Sequence, residues 1–334
     1  MFSKKIGIDL GTANSVVYVV GKGVVLSEPT VVAVTTDDNK VVAVGNEAKE
    51  MLGRVPDSIR VYRPMREGVI ADYTVTEAML RFFINKACGK SRLVKPDVMI
   101  STPAEVSSVE SRAVLDAALS AGARRAYLIP EPLAAAVGAG LPVDQPSGSM
   151  IVNLGGGTTE VAIISLGGIV VKGSARCAGR KIDEAIAMHI RRKYNLLIGD
   201  STAEEVKMKI GSATLISPEK KIEVNGRDFI AGLPRTVEIT SAEITEAIQP
   251  PLRQIIIAVK KVLEQTPPEL SSDVIDKGVV LSGGTAMLKN LDKFITVSIG
   301  VPAHVVEEPM FCVVRGIGVV LENLEVFQKS VIKR

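Results

Sequence analysis

Two short stretches of this chain carry the residue types that handle phosphate. The first is Ile6-Gly7-Ile8-Asp9-Leu10-Gly11-Thr12-Ala13-Asn14, and the second is Ile151-Val152-Asn153-Leu154-Gly155-Gly156-Gly157-Thr158-Thr159-Glu160. Each has an apolar strand, then Asp or Asn, Leu and Gly, then small and hydroxyl residues, and a second apolar strand at 16–20 or 161–164. Glycine lets backbone N–H groups approach an anion closely, and Thr or Asn adds donors. Asp9 and Asn153 occupy equivalent places, so the chain reads as a duplicated fold whose halves each offer a hairpin to one ligand. Two such hairpins in register form a phosphate clamp.

Other residues suit the same chemistry. A carboxylate beside a phosphate clamp, here Asp9, is well placed to hold Mg²⁺ through water, because Mg²⁺ dehydrates reluctantly. Asp9 could also cap its own hairpin as an Asx turn, and the two roles can coexist. Glu131 lies where a strand gives way to a helix inside an apolar stretch. There it could orient a water in line with a γ-phosphate, or simply stabilise a helix N-terminus. Gly283-Gly284-Thr285 follows the apolar run 279–281 and would set a helix N-terminus and bare backbone against a nucleoside or phosphate. Glu204 and Lys207 share a helix face at i and i+3, as a solvated ion pair or with Glu204 on a ribose hydroxyl.

Strands alternating with helices must position these residues, which predicts an α/β fold with partly parallel sheets. Residues 6–35 read as successive strands with Gly21-Lys22-Gly23 as a turn, and 98–101, 126–129 and 279–281 as further strands. Helices are expected at 75–88, 107–121, from Glu131, and at 181–194, 203–211 and 243–248. Ser107 and Glu110 have the spacing of a capping box. Pro250-Pro251 should end one helix and start another running to Gln265. The run 222–239 reads as two strands joined by an Asn225-Gly226 turn. Residues 141–148, rich in Pro and Gly, read as an interdomain linker.

Composition narrows the class of function. A chain of 334 residues, 46% apolar and 23% charged, is long enough for about two globular domains. A net charge of +3 is too small to imply nucleic acid as a partner. No apolar run reaches transmembrane length, and Met1 through Lys5 lead into a strand rather than a signal peptide. Cys88, Cys177 and Cys312 are scattered, so neither a disulfide framework nor a zinc site is expected, and His189 and His304 read as incidental. The expected location is cytoplasmic, either soluble or peripheral to a membrane.

The two hairpins, Glu131-Pro132, Glu204-x-x-Lys207 and Gly283-Gly284-Thr285 resemble the five nucleotide-binding elements of the actin, heat-shock chaperone and sugar kinase superfamily. Within it, the chain resembles the bacterial actins of the MreB/Mbl family along essentially its whole length. The stretch Arg63-Pro64-Met65-Arg66-Glu67-Gly68-Val69-Ile70-Ala71-Asp72 is the most specific, with Thr266-Pro267-Pro268-Glu269-Leu270 beside it. The resemblance implies an actin-like fold of two α/β domains, each split in two, with ATP in the cleft between them. The first domain would span 1–145, with a small insert at about 33–65 and a return at 315–334. The second would span 146–314, with its small subdomain at about 182–245.

By the same resemblance, Gly11, Thr12, Ala13 and Asn14 would wrap the β- and γ-phosphates from one side, and Gly155, Gly156, Gly157 and Thr158 from the other. Asp9 would hold Mg²⁺ through water, and Glu131 with Thr158 would position the attacking water. Glu204 and Lys207 would meet ribose and adenine, and Gly283, Gly284, Thr285, Ala286 and Met287 would flank the adenosine. The implied function is polymerisation into paired protofilaments that organise cell-wall synthesis and rod shape, with slow ATP hydrolysis. Implied partners are other copies of the chain, the anionic inner membrane surface and membrane proteins of wall elongation. Leu93 and Val94, set among Lys90, Arg92 and Lys95, resemble the family's membrane-insertion loop, with Met1 and Phe2 nearby; basic flanks add attraction to anionic lipid.

Three positions depart from the family pattern. Asn153 stands where an Asp is usual, Pro130 replaces an acid before Glu131, and Thr285 replaces a third Gly. The first two make a weakly hydrolysing filament protein the nearest rival reading. A small-molecule kinase of the same fold is the other rival, and it lacks a candidate base for an acceptor hydroxyl.

Overall fold

In the computed structural model, described residues are 3–66, 69–70, 72–89 and 94–333. Two sheets built on one plan organise the chain. The first runs Ile332–Lys333, Arg125–Pro130, Asp97–Thr102, Lys5–Leu10, Asn14–Val19, Gly23–Pro29. The second runs Gly168–Ala175, Thr159–Ser165, Ser149–Leu154, Val279–Ser282, Ala303–Val305. In each, the strand entering the glycine-rich turn pairs antiparallel with the strand leaving it, and parallel with a strand from far along the chain. The entering strand Ser149–Leu154 is buried along its whole length, as expected of a strand covered on both faces. The duplication expected from the two hairpins therefore extends to whole sheets.

Apolar side chains fall into two outer clusters and one between them. Tyr73–Cys88 and Ser108–Ser120 cover the first sheet, while Gly179–Tyr194 and Gln249–Glu264 help cover the second. Glu131–Gly138 and Cys312–Glu322 lie in the middle cluster with Met99, Ile151 and Ala162. These two helices cross at glycines. A Cβ on Gly138 would lie 1.9 Å from the Cys312 carbonyl oxygen, and one on Gly316 would lie 1.8 Å from that of Ala134. No side chain fits there, so the crossing depends on bare backbone.

Local signals placed most elements. Ser107 and Glu110 form the capping box that starts Ser108–Ser120. Ile248 ends one helix and caps the next, Gln249–Glu264, whose first turn holds the two prolines. The 141–148 stretch is pinned rather than loose: Val143 is buried, and the carbonyls of Val143 and Gln145 accept from Gly167 and Leu166.

The Asn225-Gly226 turn is corrected. Both residues lie inside the strand Lys221–Asp228, paired with Thr236 and Arg235 of Pro234–Thr240. The chain reverses at 229–233 instead. Asp228 accepts the N–H groups of Ile230 and Ala231, and Gly232 supplies the positive φ of 73°. The register aligns Val224 with Val237 and Ile222 with Ile239, and Val224, Val237 and Ile239 are buried. Core-facing alternation outweighed the local turn signal.

Candidate functional site

Between the two sheets lies a cavity of about 350 Å³, lined by both glycine-rich turns. Its walls include every residue expected at the site except Ala286. That residue is 2% exposed and packs into the core of the second sheet, so only its neighbours Thr285 and Met287 face the cavity. The turns meet closely: a Cβ added to Gly156 would lie 2.3 Å from that of Ala13, and one on Gly157 2.9 Å from Thr12. Bare backbone from both halves therefore converges on one space.

The two hairpins hold their acid or amide alike. Asp9 accepts the hydroxyl of Ser101 at 2.8 Å, from the parallel neighbouring strand. Asn153 Oδ1 accepts the hydroxyl of Ser282 at 3.0 Å, also from the parallel neighbour. Asn153 then does what an aspartate could not: its Nδ2 donates to Glu131 Oε2 at 3.3 Å. Glu131 opens its helix directly after Pro130, which ends the preceding strand and caps the helix with extended backbone. The proline is thus compatible with the strand-to-helix junction that places Glu131 in the cleft.

Proton affinities in the cleft are high. Burial pushes Asp9 up to about 6 against the lowering effect of Ser101. Burial, with Asp9 and Glu160 nearby, raises Glu131 well above the usual carboxylate range, and Asn153 opposes this. Acids in such a site favour either protons or a cation. Asp9 and the Asn153 oxygen supply hard oxygen donors of the kind Mg²⁺ takes, so the donor set fits that ion.

The Glu204–Lys207 ion pair is corrected, because each has another partner. Lys207 pairs with Asp183 at 2.8 Å, both side chains 16% exposed. Glu204 instead reaches across the cavity mouth to Lys49 at 3.1 Å. Asp183 on the neighbouring helix Gly179–Tyr194 thus takes Lys207, while Glu204 pairs with Lys49 on the short helix Asn46–Glu50. The expected helix N-terminus at Gly283 is a 3-10 turn, Gly284–Met287, set off by Gly283 at φ 87°. Thr285, which replaces glycine, donates its hydroxyl to the Gly155 carbonyl and so braces the second hairpin.

Sequence reasoning missed Lys49, Arg63, Arg180 and Asp183, all of which line the cavity. Arg63 sits in the family-specific stretch, which was the available signal. Arg180 and Asp183 lie on Gly179–Tyr194, whose helical pattern said nothing of the cavity, and Lys49 lies on Asn46–Glu50, a helix not expected from the residues. Of the membrane residues, Met1, Phe2 and Leu93 lie outside the described residues, and Val94 is exposed. No described helix is long and apolar enough to cross a membrane.

A model of the MreB/Mbl protein family matches residues 3–329. The chain is 49% identical to the cell shape-determining protein MreB of Escherichia coli K12 over 330 residues, covering 97% of this chain and 95% of that one. It is 48% identical to the cell shape-determining protein Mbl of Bacillus subtilis 168 over 329 residues, covering 98% and 99%. The crystal structure of MreB5 of Spiroplasma citri bound to ADP matches with a TM-score of 0.92 and 35% identity, covering 97% of this chain and 98% of that one. Matched by the family model and by these relatives over nearly its whole length, this chain belongs to the MreB/Mbl family of actin-like proteins.

Proposed function

We propose that the chain is an ATP-binding bacterial actin that assembles into membrane-associated filaments and hydrolyses ATP slowly. One observation carries the nucleotide reading: two glycine turns from separate sheets converge on a cavity of ligand size, about 350 Å³. Gly11 through Asn14 and Gly155 through Thr158 would cradle the phosphates with backbone N–H groups. Glu204, Lys207, Gly283, Gly284, Thr285 and Met287 would enclose ribose and base. Asp9 would hold Mg²⁺ through water, and the ion would neutralise phosphate charge. Glu131 and Thr158 would orient the attacking water.

Slow turnover follows from the Asn153 amide. It offers a neutral oxygen to the metal and ties up one oxygen of Glu131. Polymerisation, cell-shape function and wall-elongation partners rest on family membership. Membrane contact rests on the apolar pair at 93–94 between basic residues, multiplied along a filament by avidity.

The test is negative-stain electron microscopy of purified protein with Mg-ATP on anionic liposomes. Double filaments on the membrane are expected; persistent monomers across salt and protein concentration would defeat the filament reading. Leu93→Ser with Val94→Ser should abolish liposome pelleting of polymer, and unchanged pelleting would remove this loop from the membrane assignment.

A further inference from the structure

Glu160 lies on Thr159–Ser165, the strand leaving the second hairpin, and is 1% exposed. Its Oε2 accepts the backbone N–H of Ala104 at 3.1 Å, in the loop after Asp97–Thr102 of the first sheet. The second sheet holds that loop twice more. Lys172 Nζ donates to the Ala104 carbonyl at 2.5 Å, and Ser174 Oγ donates to Glu105 Oε2 at 3.1 Å. Glu160 is registered opposite Ser174, and Ala162 opposite Lys172, so the three side chains share one sheet face.

The position of this contact matters. Thr102, two residues before Ala104, is in register with Pro130, the residue before Glu131. On the other side, Glu160 is two residues beyond Thr158. One buried carboxylate thus ties the strand end beside Glu131 to the hairpin that carries Thr158. We infer that Glu160 is a positioning residue, clamping the first sheet at Ala104 so that Glu131 and Thr158 meet one phosphate in fixed geometry.

A carboxylate is a costly choice for a buried strand position that needs packing alone. Burial pushes Glu160 up to about 7 while the Ala104 amide and Lys172 oppose the shift. The polar group is kept where it crosses between sheets. By contrast, the Lys49–Glu204 bridge at the mouth has side chains 37% and 34% exposed, so it is weak and screened. The buried Glu160 contact is therefore the firmer of these two ties between the halves, and the exposed bridge the weaker.

This inference rests on the nucleotide reading, so its test has a second readout. Glu160→Ala and Glu160→Gln are compared by single-turnover phosphate release, nucleotide affinity and thermal melting. In a Cys88→Ser background, spin labels at Val42→Cys and Ile230→Cys, 46% and 80% exposed in the native chain, report the distance between the two sides. Glu160→Ala should slow phosphate release about tenfold, with nucleotide affinity within about twofold and a broadened distance distribution, since small misplacements cost rate before affinity. Glu160→Gln, which keeps the acceptor oxygen, should restore both readouts. Lys172→Met, an exposed site on the same loop contact, should shift both in the same direction and serves if Glu160→Ala does not fold.

An unbroadened distance distribution, or a release rate for Glu160→Ala within about twofold of the parent, overturns the inference. So does failure of Glu160→Gln to restore either readout. If the parent protein binds no nucleotide, the nucleotide reading falls, and the distance distribution alone decides whether the clamp exists.

Discussion

The first hairpin holds Asp9 and the second holds Asn153, at equivalent places and each under a serine from the parallel neighbouring strand. The frame is the same, and one atom differs. On the first side the oxygen keeps its charge and is available to a cation. On the second, nitrogen replaces oxygen and donates to Glu131. A duplicated scaffold has therefore divided its labour: one half keeps a carboxylate, and the other donates to Glu131, which already faces the acids Asp9 and Glu160. A second charged oxygen at 153 would add to the repulsion that already raises Glu131.

The largest expected effect removes the meeting of the halves. Gly156→Val would drive a side chain into Ala13. Overpacking of about 1–3 kcal/mol should weaken nucleotide binding roughly 5- to 150-fold, measured with a fluorescent ATP analogue. Binding at parental strength would show that the turns do not close on the ligand together.

Next comes Asn153→Asp, which makes the hairpins chemically alike. It should tighten the magnesium requirement and raise phosphate release about tenfold, equivalent to 1.4 kcal/mol in the barrier. Without nucleotide and metal the same variant should lose about 1–3 kcal/mol of stability, because Glu131 loses a donor and gains a like charge. Equal release rates across a magnesium titration would show that the asymmetry has no catalytic consequence.

Paired serine variants sharpen the contrast at about 1 kcal/mol each in stability. Ser101→Ala removes the bond that lowers Asp9, so near pH 6.5 its magnesium midpoint should move to higher concentration. Ser282→Ala should leave that midpoint in place, since Asn153 does not titrate. An equal shift in both would mean that the neutral Asn153 oxygen matters to the metal as much as the Asp9 carboxylate.

The smallest effect is a slope. Asp9 and Asp183 are raised from 3.8 to about 6, and Glu160 from 4.5 to about 7. The folded chain then binds more protons than the unfolded chain between about pH 4 and 7, so ligand-free stability declines as pH rises through that window. Glu160→Gln should flatten the part between about pH 4.5 and 7, followed by urea denaturation at fixed salt. Saturating Mg-ATP should flatten the Asp9 part, and an unchanged slope with ligand would place the nucleotide elsewhere.

Much of this was legible in the residues. The glycine runs, the capping box at Ser107 and the Pro250-Pro251 start declare themselves through backbone freedom and hydrogen-bonding groups close in sequence. Asn225-Gly226 misled for the complementary reason: a turn signal worth a fraction of a kcal/mol met a register that buries Val224, Val237 and Ile239. Lys207 misled because its partner Asp183 is 24 positions away, on another helix.

By itself, then, the sequence determined the α/β class, the two glycine-rich turns and the family. Those depend on residue type and local spacing, which the chain carries directly. Tertiary structure alone decided that Asn153 reaches Glu131, that Glu204 turns to Lys49, and that Glu160 crosses to Ala104. Each contact joins segments between 22 and 155 residues apart. Hydrogen bonds and charges act over a few ångströms, so only the packed sheets and the glycine crossing of the central helices determine which distant groups come within reach.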